Sequence, residues 1–92
     1  MDHELKTDPE VFAATEAGIK EFEIRFNDRR FQVGDYLKLR ETRHSGIEMK
    51  RGKPLEYTGK ELLVKVQYIL EGPIYGLSDG WVIMSVKEMV RF

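Results

Sequence analysis

The sequence predicts a mainly β fold with one or two short helices (α+β): a small antiparallel β-barrel capped by an N-terminal helix. Three observations carry this. Apolar and polar residues alternate with a period of two at residues 20–26, 36–42 and 60–70, and an apolar run at 81–86 reads as a final strand. A single strong helix start, Thr7-Asp8-Pro9-Glu10, stands ahead of all four segments. No crossover helix separates the later segments, which argues against a parallel α/β sheet. The chain has 92 residues, enough for one domain over 1–92, with a core over 3–86 and a short tail at 87–92. It has no cysteine, so no disulfide supplements a small core. Closure into a barrel would also remove exposed strand edges.

Residues 3–6 form a short first strand anchored by Leu5. Asp8 fits as N-cap with Pro9 at the first helical position, and Thr7 with Glu10 reads as a capping box one residue earlier. The helix runs from 9 to 17 with Val11, Phe12 and Thr15 on one side, and Gly18 suits the left-handed position that ends it. In the strand at 20–26, Phe22, Ile24 and Phe26 share one face, expected to be the core face. Glu21, Glu23 and Arg25 share the other. Residues 31–33 form a short extended piece, and Gly34-Asp35 is a turn. In 36–42, Leu37 and Leu39 point inward. Residues 43–59, with Ser45-Gly46, Gly52, Pro54 and Gly59, form a long loop. The strand at 60–70 puts Leu62, Val64, Val66, Tyr68 and Leu70 in phase, and its length calls for a bend or bulge. The last strand is 81–86.

Composition excludes several classes. Hydrophobic residues at 41% with charged residues at 34% describe a globular chain, not a disordered one. The apolar runs are too short to span a membrane as a helix. The first residues are acidic with no apolar stretch behind them, so no signal peptide is read there and a cytoplasmic location is expected. His3 and His44 are the only histidines and lack ligand spacing, so no metal and no cofactor are expected. A net charge of −1 argues against a generic polyanion binder, yet residues 29–66 hold 10 basic and 5 acidic side chains.

The most informative spacing is Gly18-x-Lys20-x-x-Glu23-x-Arg25. Glu23 and Arg25 are two apart on a strand and are expected to project from the non-core face, with Lys20 at the exit of the turn. Such a cluster suits a phosphate or a polar base edge, with Glu23 orienting the cations or accepting a base N–H. The plainer reading is a solvated ion pair beside the barrel, worth under about 1 kcal/mol. Either way, removal of Lys20 or Arg25 is expected to cost under about 1 kcal/mol of stability.

Residues 18–25, Gly-Ile-Lys-Glu-Phe-Glu-Ile-Arg, resemble the GxKxxExR signature of ASCH domains, a PUA-like group of small β-barrels. His3-Glu4-Leu5-Lys6, Phe12, Asn27-Asp28-Arg29, Val33-Gly34-Asp35, Tyr57-Thr58-Gly59 and Tyr68-Ile69-Leu70 are similar to a bacterial and phage branch of that group. The resemblance covers residues 3–86. It implies a PUA-like barrel, a cleft lined by Gly18, Lys20, Glu23 and Arg25, and binding of RNA or a nucleotide-like ligand. Some small ASCH-like proteins are amidohydrolases of acetylated cytidine nucleosides. They use a Lys, a Thr three residues later and a Glu on an inserted segment. Lys20 matches the first, but Glu23 stands where the Thr would be and the 71–80 loop is short. That activity is not carried over.

Arg43, Lys50, Arg51 and Lys53 in the long loop form a basic stretch, either a clamp on a nucleic-acid backbone or a solvated hairpin loop. Tyr36, Tyr57, Tyr75 and Trp81 are candidates for base stacking, although most large aromatics of a small barrel are expected in the core. The reading is therefore a binder of RNA or a nucleotide-like ligand. The alternatives are a small hydrolase of a modified nucleoside, with Lys20 and Glu23 as its acid–base pair, or a protein-interaction accessory domain.

Overall fold

The computed structural model describes residues 1–91, and of Arg91 the backbone only. In chain order the elements are β1 (Asp2–Thr7), α1 (Pro9–Glu16), β2 (Phe22–Phe26), β3 (Tyr36–Thr42), α2 (Gly46–Lys50), β4 (Tyr57–Glu71) and β5 (Trp81–Arg91). The fold is mainly β with two short helices, as expected. Its strands form one five-stranded sheet in the order β1-β3-β4-β5-β2. The sheet curls around a core of Leu5, Phe12, Phe31, Leu37, Leu39, Leu62, Val64, Val66, Val82, Met84 and Val86. Helix α1 packs against β3 and buries Phe12 and Thr15. Three strand pairs are antiparallel, but β1 runs parallel to β3, because α1 and β2 intervene and return the chain to the same end.

Among the described residues, the curl does not close through backbone hydrogen bonds. β1 and β2 are the two edges, and arginines bridge them: Arg25 Nη1 donates to the Lys6 carbonyl at 3.1 Å, and Arg29 Nη1 to the Glu4 carbonyl. Two clefts lie along the seam between these edges.

Several sequence expectations need correction. β2 faces the other way: Phe22, Ile24 and Phe26 are 46%, 47% and 54% exposed, while Glu23 is 2% exposed. The partner strand decides this. Glu23 pairs with Met84 and Arg25 with Val82, and both β5 residues point into the core. Opposed residues share a face, so Glu23 and Arg25 must face inward. Residues 31–33 are not a strand; Phe31 instead enters the core. The 43–59 loop contains α2, started by a capping box in which Ser45 Oγ accepts from Glu48 N and Glu48 Oε1 from Ser45 N. In β4 a register shift between Val66 and Tyr68 breaks the alternation, so Tyr68 turns outward and Ile69 packs against the core. Residues 87–91 continue β5 instead of forming a tail, and Phe92 lies outside the described residues. Most large aromatics are not core: Phe12 and Phe31 are buried, but Tyr68 is 64% and Tyr75 90% exposed.

Candidate functional site

Thr7 ends β1 with its side chain on the inner face, as the alternation of β1 requires. Asp8 and Pro9 then turn the chain into α1. Asp8 does occupy the N-cap position, but its side chain makes no cap bond; Oδ1 accepts instead from Gly46 N at 3.0 Å. The capping box expected from Thr7 and Glu10 is absent, because Thr7 belongs to the strand. Gly18, at φ +77°, ends the helix, and Ile19 N and Lys20 N both donate to Ala14 O. This sharp exit sets Lys20 beside the first residues of β2.

These segments enclose a cleft of about 490 Å³ at the β1–β2 seam. Its cationic wall is Lys20 and Arg25, with Lys6 at the rim. Val11, Phe22 and Ile24 give an apolar wall, and Thr7, Asp8 and Glu23 complete it. Gly18 shapes the turn but does not line this cleft. A second depression of about 330 Å³ shares Ile24 and Arg25 with the first and continues along the seam to Phe26, Arg29 and Trp81.

Glu23 organises the cationic wall. Lys20 Nζ donates to its Oε2 at 2.7 Å, and Arg25 Nη2 and Nε donate to its Oε1 at 2.9 and 3.2 Å. Lys20 Nζ also donates to the Phe22 carbonyl and lies 4.8 Å from the Phe22 ring centre. Lys20 and Arg25 side chains are 14% and 26% exposed. The structure thus brings Lys20, Glu23 and Arg25 together, but as a partly buried network and not the solvated pair of the plainer reading. Two cations on one carboxylate leave the cluster a net charge of +1. Both cations are held in place, so a ligand anion or carbonyl would meet preset donors.

Thr7 was not singled out by its sequence. It is 2% exposed, and its Oγ1 has no hydrogen-bond partner among the described residues. Only strand alternation, placing His3, Leu5 and Thr7 on one face, could have pointed to it.

The basic stretch lies outside the cleft. Arg43 pairs with Glu56 at 3.4 Å, and Lys50, Arg51 and Lys53 are exposed at the end of α2 and just after it. The Asp8–Gly46 bond ties the start of α2 to the cleft wall, so this stretch begins within one short helix of it. Of the aromatics considered for stacking, Tyr57 lies under the Arg40 guanidinium at 3.6 Å and Tyr36 under the Lys65 ammonium at 5.7 Å. Trp81 packs edge-on to Phe26.

A second buried polar group sits on the same face at the other end of β1. His3 Nε2 is 2.8 Å from Asp35 Oδ2, Gln32 N donates to the same oxygen, and the Met1 ammonium reaches Oδ1 at 3.1 Å. Burial pushes the Asp35 carboxyl up, but the bonds from His3, Gln32 and Met1 outweigh it and hold the group below its ordinary value. This cluster ties β1 to the turn before β3 and serves the fold.

Among the described residues, no helix is long and apolar enough to cross a membrane. No curated protein matches the chain. Residues 2–86 match a family described as a domain of unknown function (DUF3850), a span that takes in the whole cleft, and the chain belongs to that family.

Proposed function

We propose that this protein binds RNA or a nucleotide-like ligand in the β1–β2 cleft. The observation that carries the reading is the Lys20–Glu23–Arg25 network in the cleft wall. A buried carboxylate is costly unless it is paired, and here it fixes two cations beside open space. A cleft of about 490 Å³ is also of the size that ordinarily holds a small ligand. The resemblance of residues 18–25 to the ASCH signature agrees with this, as does the curled β fold with a PUA-like barrel. The basic stretch after α2 would add weaker, sequence-independent contacts to a phosphate backbone.

The test is a titration with fluorescein-labelled single-stranded RNA and with mononucleotides, against Lys20→Gln and Arg25→Gln variants shown by circular dichroism to be folded. Losing a charge-assisted contact should weaken binding about tenfold to a hundredfold. Unchanged affinity in folded variants would remove the cleft from the reading.

A further inference from the structure

We infer, resting on the reading of the cleft as a nucleotide site, that the second depression along the seam is a subsite for the neighbouring nucleotide of a single strand. The base of that nucleotide stacks on the Phe26–Trp81 pair, and the linking phosphate meets Arg25 and Arg29. The depression measures about 330 Å³ and shares Ile24 and Arg25 with the first cleft, so the two form one track along β2. Each reaches the size, roughly 300 Å³, at which a pocket holds a small ligand.

The aromatic pair is a product of strand register. Phe26 ends β2 and stands directly opposite Trp81, the first residue of β5. Opposed residues share a face, here the outer one, so the rings meet edge to face with centres 6.0 Å apart and both stay exposed. Gly80 leaves room for the Phe26 ring, since a Cβ there would fall 2.7 Å from Phe26 Cε1. Two large rings are thus held by the sheet beside an open depression, and the buried Leu5 and Phe31 add apolar lining. Every base has a π-face, so a platform of this kind takes a base of any identity.

The charges beside the rings point to a nucleotide. Arg29 Nη1 donates to the Glu4 carbonyl, which anchors the guanidinium and leaves others of its five N–H groups for a ligand. Arg25 lines both depressions and is anchored by Glu23 and the Lys6 carbonyl. Against these two cations stands one anion, Asp28, so the lining carries a net charge of +1. An apolar peptide would cover the rings and leave the guanidinium groups unmatched. A base with a singly charged phosphodiester beside it matches both.

Trp81 is the only tryptophan of the chain, so its fluorescence reports on this subsite without any substitution. The experiment titrates the protein with AMP and UMP and with the dinucleotides pApA and pUpU, following Trp81 fluorescence and measuring affinity by calorimetry. The dinucleotides should bind about tenfold more tightly than the mononucleotides and quench Trp81, which mononucleotides filling the first cleft should not do. Arg29→Gln and Trp81→Ala should each remove most of that advantage and leave mononucleotide affinity unchanged, whereas Lys20→Gln should weaken both kinds of ligand. Arg29 is exposed, so Arg29→Gln and the fluorescence of the unaltered protein decide the matter even if Trp81→Ala fails to fold. Dinucleotides that bind no more tightly, that leave Trp81 unquenched, or whose advantage survives Arg29→Gln overturn the inference; where binding still depends on Lys20, the cleft reading stands. No binding of any of these ligands, or binding indifferent to Lys20→Gln, overturns both.

Discussion

Glu23 is the residue on which folding and the proposed binding meet. At 2% exposure it depends on Lys20 and Arg25 for its charge balance. Removing Lys20 leaves Arg25 to satisfy the carboxylate alone, so Lys20→Ala should destabilise by about 1–3 kcal/mol, not the under 1 kcal/mol expected of an exposed lysine. Glu23→Gln removes both ion pairs together and turns an amide N–H2 toward one of the two cations. It should cost more than either Lys20→Ala or Arg25→Ala. Denaturant midpoints followed by circular dichroism give the order; an unshifted midpoint for Glu23→Gln would show that solvent reaches the carboxylate. Asp35 makes a prediction against pH. Its folded-state value is lowered from 3.8, so the stabilisation is complete above the unfolded value and is lost as pH falls through the lower folded one. Stability should therefore fall below about pH 3.8 with a slope that Asp35→Asn reduces. An identical acid slope in that variant would assign the loss to other carboxylates.

Among the elements, the connection between β4 and β5 is the least tolerant of added volume. Gly72 N donates to Trp81 O at 2.8 Å, and a Cβ at Gly72 would fall 2.1 Å from the Ser78 carbonyl oxygen. Backbone cannot swing aside as a long side chain can, so Gly72→Ala should cost about 1–3 kcal/mol. Gly76→Ala, at φ +85° with open space around its Cβ, pays only conformational strain of about 1 kcal/mol. Equal losses in thermal unfolding would contradict this account. The same elements show how much could be read in advance. Alternation located β3 and β4, because Leu37, Leu39, Leu62, Val64 and Val66 each point inward in phase, while β5 was legible only as an apolar run, of which Val82, Met84 and Val86 point inward. It placed β2 but inverted it. Five residues with apolar side chains on one face and charges on the other fit either orientation, and only the register against Val82 and Met84 decides. The Ser45-x-x-Glu48 signature of α2 was present but lay among glycines and a proline that read as loop. At the site, Gly18, Lys20, Glu23 and Arg25 were legible from spacing. Thr7 and Asp8 were not, because their roles depend on the β1–β2 seam and on Gly46, which is 38 residues from Asp8.

At the scale of the whole molecule, a chain of net charge −1 still places some of its cations in the cleft and just after α2. The cleft supplies Lys20 and Arg25, and the exposed Lys50, Arg51 and Lys53 follow from the helix that Asp8 anchors to the cleft wall. Five residues at about 1.5 Å rise each make α2 a spacer of roughly 7 Å, comparable to the separation of neighbouring phosphates in a single strand. A strand with one base in the cleft would then lay its backbone across the basic stretch. Each phosphate neutralised there releases counterions, so the logarithm of affinity should fall with the logarithm of salt concentration by about 0.7 per contact. Replacing Lys50, Arg51 and Lys53 together with Ala should flatten that slope by about two units while leaving mononucleotide affinity unchanged, since a mononucleotide does not reach beyond the cleft. The substitutions lie on exposed positions and should leave stability within about 0.5 kcal/mol of that of the unaltered protein. Fluorescence anisotropy with a labelled oligonucleotide at stepped salt concentrations, run beside mononucleotide titrations, separates the two contributions. An unchanged slope would mean that the basic stretch is solvated surface and that the cleft alone holds the ligand.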